Sequence, residues 1–124
     1  MCATSREECN NSVNAVRDAL YVLNGKWKLL VIVVLSDGPK RFKEIERAIE
    51  GITPKVLSKE LRDLELNEFV ERKVYDAVPV QISYELTPYS DSLKEIIGAL
   101  RVWGEQHKKY LLKKHKQQRA AMQS

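Results

Sequence analysis

Apolar residues along this chain follow two rhythms. At the amino-terminal end they recur at Val13, Val16, Leu20 and Leu23, a spacing that lines one face of an amphipathic helix. Asn24-Gly25 follows, the pair that most readily takes the left-handed conformation closing a helix. The next segment, KWKLLVIVVL from Lys26 to Leu35, carries no period. Its β-branched run, bounded by Gly25 and by Asp37-Gly38-Pro39, reads equally as a buried strand or a buried helix. A helix apolar nearly all round, hence central, is preferred because no matching parallel strands occur elsewhere. Helical spacing returns at Phe42, Ile45, Ala48 and Ile49 and stops at Gly51. Thr53-Pro54 then predicts a new helix to about Asn67, with Thr53 as N-cap and Pro54 at the first helical position, where its missing N–H costs nothing.

Past Asn67 the period falls to two. Val70, Arg72 and Val74 alternate with Glu71, Lys73 and Tyr75, and Val80, Ile82, Tyr84 and Leu86 alternate with Gln81, Ser83 and Glu85. These are two strands of a hairpin, joined through Asp76-Ala77-Val78-Pro79. A second Thr-Pro pair, Thr87-Pro88, predicts a last helix to about Lys116, with Leu93, Ile96, Ile97, Leu100, Trp103, His107, Tyr110 and Leu111 on one stripe. No internal repeat or Gly/Ser linker interrupts this order. The chain therefore reads as one mainly α domain with a small β-hairpin over residues 13–112, preceded by an arm (1–12) and followed by a basic tail (113–124).

Composition places the chain among ordinary globular proteins, with 124 residues of which 44% are hydrophobic and 31% charged. The longest apolar run, Leu29 to Leu35, is far below the ~20 residues of a membrane span. Residues 1–10 are polar where a secretion signal would be apolar, so a cytoplasmic protein with no membrane partner is expected. The net charge of +4 is less informative than its location. Six Lys and Arg residues lie in 105–124 against Glu105 alone, leaving 15 basic and 16 acidic groups in residues 1–104. Within that nearly neutral body, residues 26–62 hold nine bases and five acids.

The helix from Pro54 concentrates this excess. At 100° per residue, Leu57, Leu61 and Leu64 fall at roughly 200°, 240° and 180° from Lys55, whereas Lys59 and Arg62 fall at roughly 40° and 340°. The cations lie opposite the leucines, Ser58 adds a hydroxyl beside them, and Glu60 and Asp63 fall to one side, where they are not expected to neutralise the cationic edge. A helix followed by a tight turn, a second helix with a basic face and a β-hairpin is the order of a winged helix-turn-helix. In that arrangement Thr53, Lys55, Ser58, Lys59 and Arg62 are suited to phosphates and base edges in the major groove of double-stranded DNA. Arg72, Lys73 and Gln81 of the hairpin would make a second contact, and Lys40 and Arg41 would complete a basic rim. A solvated charge stripe is the plainer alternative. RNA ranks below DNA because this helix lacks stacking aromatics.

A last helix of ~29 residues would span about 43 Å, well beyond a domain whose radius of gyration is ~13 Å. Its stripe therefore needs cover, from the first helix or from a second copy of the chain. The expected homodimer interface is Val13, Val16 and Leu20 of the first helix with Leu93, Ile97, Leu100, Trp103, His107, Tyr110 and Leu111 of the last, the alternative for Trp103 and Tyr110 being an intramolecular core. A two-fold dimer would read half-sites about 34 Å apart, an inverted repeat. The competing function is a winged-helix interaction module that touches no nucleic acid. Catalysis is not expected: the two histidines, His107 and His115, both lie in the last helix, and no Gly-rich phosphate loop, nucleophile elbow or Cys/His pairing occurs. No cofactor or metal is implied. Cys2 and Cys9 read as reduced thiols of the arm, with Cys9 a candidate redox sensor.

Several of these segments are familiar. Gly25-Lys26-Trp27, Gly38-Pro39 with Arg41-Phe42 and Glu44-Ile45, Gly51-Ile52, Lys55-Val56-Leu57, Val70-Glu71-Arg72 and Tyr84-Glu85-Leu86-Thr87 run in uninterrupted order across residues 24–104. This stretch resembles the HxlR-type family of winged-helix transcriptional regulators, relatives of the MarR-like group. The resemblance implies a DNA-binding homodimer with a recognition helix from Thr53, a wing at 70–86 and terminal helices that dimerise, and it settles residues 26–35 as helix. Many family members carry a Cys-Pro pair shortly before Gly-Lys-Trp, a cysteine that in some of them senses oxidants. Here Asn14-Ala15 stands roughly in that place, so a sensing role does not map onto Cys9 by alignment.

Overall fold

A computed structural model describes residues 6–123 and gives five α-helices and one hairpin. The helices are α1 (Arg6–Val22), α2 (Lys28–Leu35), α3 (Phe42–Ala48), α4 (Pro54–Leu66) and α5 (Lys94–Gln123). Strands β1 (Val70–Tyr75) and β2 (Gln81–Leu86) pair antiparallel with Val70 opposite Leu86 and Tyr75 opposite Gln81. The chain divides into two compact units, one ending at Ser90 and the other beginning at Asp91.

The core of the first unit comes from the predicted apolar faces. Val31, Ile32 and Leu35 of α2, Ile45 of α3, and Leu57, Leu61 and Leu64 of α4 are buried, together with Ile49, Ile52, Phe69 and Val70. Segment 26–35 is helical from Lys28 onward, with Lys26 and Trp27 in the preceding turn, but it is not apolar on every buried side. Leu30 and Val33 are exposed, whereas Lys28 is buried with only 3% of its surface accessible.

Chain turns are set by a few positions. The turn from α3 to α4 places Gly51 at φ +87°, where a side chain would be strained. A Cβ there would meet only the Trp27 ring at 3.9 Å, so backbone conformation and not space demands the glycine. Thr53 caps α4 as expected, its Oγ1 accepting from the Val56 N–H at 3.2 Å, with Pro54 in the first turn.

The other end of α4 is less conventional. Phe69 N–H donates to the Leu64 carbonyl at 3.0 Å, and the residue between helix and strand, Glu68, takes φ 65°. This is a glycine's place at a helix terminus. Because Glu68 is exposed, Glu68→Gly should stabilise the fold by about 0.5–1 kcal/mol, read as a higher denaturant midpoint with unchanged slope.

Three predicted boundaries move. The arm assigned to residues 1–12 is helical from Arg6 onward, which Glu7 and Glu8 favour by facing the positive end of the helix dipole; the rest of that arm, up to residue 5, lies outside the described residues. Pro88 opens not the last α-helix but a 3₁₀ segment, Pro88–Leu93, in which Ser90 N–H and Oγ both bond the Thr87 carbonyl. The tail assigned to residues 113–124 continues α5 as far as Gln123, since its Lys, Gln, Arg and Ala are good helix formers and no Gly or Pro interrupts them. With 30 residues, α5 spans about 45 Å.

Candidate nucleic-acid interface

α4 divides into two faces. Leu57, Leu61 and Leu64 are each at most 1% exposed, while Thr53, Lys55, Ser58, Lys59 and Arg62 are all exposed. The helix is anchored by its leucines and leaves its cationic edge to solvent. The Thr53 hydroxyl, although it accepts the capping bond, still has a proton to donate.

The acids of α4 behave differently from the helical-wheel expectation. Glu60 is buried, and its Oε2 accepts from the Lys28 Nζ of α2 at 2.9 Å. The same ammonium reaches Asp63 Oδ2 at 3.3 Å and donates to Asn24 Oδ1 at 3.0 Å, so its three protons have three acceptors. On the outer side, Lys59 Nζ lies 3.2 Å from Asp63 Oδ2 and 3.6 Å from Glu60 Oε1. Two ammonium groups and two carboxylates thus close a network of zero net charge, and the carboxylates do neutralise Lys59. A wheel drawn for one helix cannot show that α2 delivers a lysine beneath it. Lys55 and Arg62 have no ionic partner among the described residues.

Burial disfavours the charged forms in this network, but the bonds outweigh it. Desolvation alone would lower the Lys28 pKa, yet hydrogen bonds to Glu60 and Asp63, together with their charges, raise it above the ordinary lysine value. For Asp63, desolvation pushes upward, and bonds from Lys59 and Lys28 with their charges bring the carboxyl below its ordinary value.

The hairpin stands next to the start of α3. Lys40 and Tyr84 exchange two backbone bonds, of 3.0 and 2.8 Å, adding a short third rung beside β2. Arg41 Nη2 donates to Gln81 Oε1 at 2.8 Å, so these two predicted contacts are side by side. Lys40 is half-buried, its Nζ 3.5 Å from Asp37 Oδ2.

Arg72 and Lys73 are not brought to one surface. As neighbours on β1 they point to opposite faces of the ribbon. Arg72 is exposed and unpaired among the described residues, while Lys73 Nζ lies 2.5 Å from Glu85 Oε1. That bond, and the charges of Glu85 and Glu71, raise the Lys73 pKa. Two cations were missed. Lys43 and Arg47 line an open cleft with Arg41, Phe42, Glu44 and Ile82; their four-residue spacing in α3 was the available signal.

The predicted dimer residues are described helix by helix. Val13, Val16 and Leu20 on α1 are 49–64% exposed, and Leu100, Trp103, Tyr110 and Leu111 on α5 are 39–63% exposed. On α5 the Trp103 and His107 rings stack at 4.7 Å, with Tyr110 following at 6.3 Å from His107. These rings are therefore not an intramolecular core, and Ile97 is half-buried. Leu93 is corrected: at 5% exposure within the single chain it is already core, because it closes the 3₁₀ segment and is not on α5. Cys9 is also corrected: it is disulfide-bonded in α1 and not a reduced thiol. Cys2 lies outside the described residues.

The family model described as HxlR-like helix-turn-helix matches residues 22–111. The chain belongs to this family. Among its HxlR-like relatives, the uncharacterized HTH-type transcriptional regulator YtcD of Bacillus subtilis is 39% identical over 102 residues, covering 82% of this chain and 79% of YtcD. The HTH-type transcriptional regulator YodB of the same organism is 39% identical over 97 residues, covering 78% and 87%. Of the solved structures, the redox regulator HypR in its reduced form superposes with a TM-score of 0.74 at 36% identity, covering 80% of this chain and 98% of that one. This HxlR-like chain is accordingly a winged helix-turn-helix transcriptional regulator and not an enzyme. None of its helices among the described residues is long and apolar enough to cross a membrane.

Proposed function

We propose that this regulator binds double-stranded DNA sequence-specifically as a homodimer, placing one α4 per subunit in successive major grooves of an inverted-repeat operator. The observation that carries the reading is the division of α4, with buried leucines on one side and exposed Lys55, Ser58 and Arg62 on the other. Arg41 and Gln81, bonded to each other, and Arg72, unpaired among the described residues, would supply contacts to the DNA backbone that fix register without reading sequence.

Dimerisation is supported by α1 and α5, each of which leaves its apolar stripe exposed in the single chain. Aromatics such as Trp103 and Tyr110 are the side chains that carry most energy in interfaces. A regulator of this kind works on the chromosome, which assigns it to the cytoplasm. Cys9, whose disulfide sits on one of the two helices assigned to the interface, is the candidate through which an oxidant would act on the regulator.

Selection of bound sequences from a random duplex pool tests the reading. The expected result is an enriched inverted repeat with half-site centres about 34 Å, one helical turn, apart or a multiple of it. Enrichment of no duplex would leave the interaction-module alternative in its place.

A further inference from the structure

Building on the DNA-binding reading, we infer that Asp63 is a positioning residue that withholds the Lys59 ammonium from DNA phosphates and so lowers sequence-independent affinity. An exposed lysine paired four residues along a helix usually swings free at little cost. Lys59 differs in what holds it. Asp63 Oδ2 lies 3.2 Å from Lys59 Nζ and also 3.3 Å from Lys28 Nζ, and the Lys28 side chain is only 4% exposed. The carboxylate is therefore fixed from below and cannot follow the lysine outward. Glu60 Oε1, 3.6 Å away, is fixed through the same Lys28 by its other oxygen.

To reach a phosphate, Lys59 must leave two carboxylates that the fold keeps in place. Lys55 and Arg62, on the same exposed edge, have no such tether among the described residues. Phosphate contacts strengthen binding to every sequence alike. Withholding one of them per subunit therefore weakens binding to operator and random duplex by the same factor, and sets how tightly and how salt-dependently the regulator holds DNA of any sequence.

The test uses the full chain and a random-sequence duplex titrated over a range of salt. Asp63→Asn keeps the shape and removes the charge. Affinity should rise about fivefold per subunit at 0.15 M salt, and the salt slope should steepen by about 0.9 per subunit. In a Lys59→Gln background the same substitution should change neither. Glu65→Gln, which removes an equal charge from the same helix, should alter affinity less than twofold.

An equal rise with and without Lys59, or no rise at all, overturns the inference. Should Asp63→Asn fail to fold, single variants decide: Lys59→Gln must cost less affinity than Lys55→Gln, and equal losses refute the tether. Failure of the wild-type chain to bind any duplex would overturn the DNA reading itself. A protein that binds through Lys55 and Arg62, but whose Asp63 acts independently of Lys59, would overturn only this inference.

Discussion

Alanine at Lys55, Lys59 and Arg62 together should cost about a thousandfold in affinity for a selected duplex at 0.15 M salt. Each phosphate contact contributes a salt slope of about 0.9, which at that concentration is roughly fivefold in binding. On the proposed reading Lys55 and Arg62, exposed and unpaired among the described residues, would supply four such contacts in a two-fold dimer, whereas Lys59 enters already paired with Asp63 and Glu60 and would add little. The slope itself should become shallower by about four. Stability should fall by no more than about 1 kcal/mol, because Lys55 and Arg62 are exposed positions outside the core and Asp63 and Glu60 keep Lys28 as a counter-charge when Lys59 is removed. Gel filtration should still report the wild-type association state. Undiminished affinity for the selected duplex would move the interface elsewhere on the protein; a collapse of thermal stability would mean that the cations hold the fold and do not serve a ligand.

Lys28→Met should destabilise the first unit by about 3 kcal/mol, on the order of 10 °C in melting temperature. The loss is not that of a lysine but of a neutralising charge. Glu60, with 8% of its side chain exposed, would keep only the more distant Lys59 as a counter-charge. Pairing Lys28→Met with Glu60→Leu should restore most of the stability, since a buried ion pair and an apolar pair of similar volume are often nearly equal.

The pH dependence has a definite sign. The folded Asp63 carboxyl is depressed, so its contribution is complete above the ordinary carboxylate range and is lost as pH falls through the depressed value. The folded Lys28 is raised, so its contribution is complete below the ordinary lysine range and is lost as pH climbs through the raised value. Lys28→Met should shrink the alkaline limb to the part that Lys73 contributes and move the acid limb upward. Unchanged limbs in chemical denaturation across pH would show that the network contributes nothing to folding.

The contrast between these two variants shows what the sequence could reveal. The exposed edge of α4 was legible because it depends on a local rule, one residue per 100° of one helix, and the capping Thr53-Pro54 fixes where counting begins. The hairpin was legible for the same reason, its period of two being interrupted by a turn. Lys28 was not legible. In KWKLLVIVVL it stands as one polar residue in an apolar run, and its role appears only when α4, thirty-two positions later, brings Glu60 over it. The pairing of Lys73 with Glu85 was hidden by the same kind of distance, since the two meet through strand register. Leu93 was misplaced because its stripe continues smoothly onto α5, whereas Pro88 starts a tighter helix that turns it inward. The helical arm and tail were not legible because neither carries an apolar stripe to give a period, and their helix rests on residue propensity instead.

The way α4 is divided bears on how such a regulator diversifies. Positions 55, 58 and 62 are exposed and make no side-chain hydrogen bond or ion pair among the described residues, so on the proposed reading a duplicated gene can exchange them one at a time and acquire a new operator while its product still folds. Positions 28 and 60 have less freedom, since losing Lys28 takes from Glu60 its nearest counter-charge and a coordinated exchange passes more easily than a single one. Retargeting in this lineage should therefore run through the outward triplet, with the pair beneath it inherited as a unit.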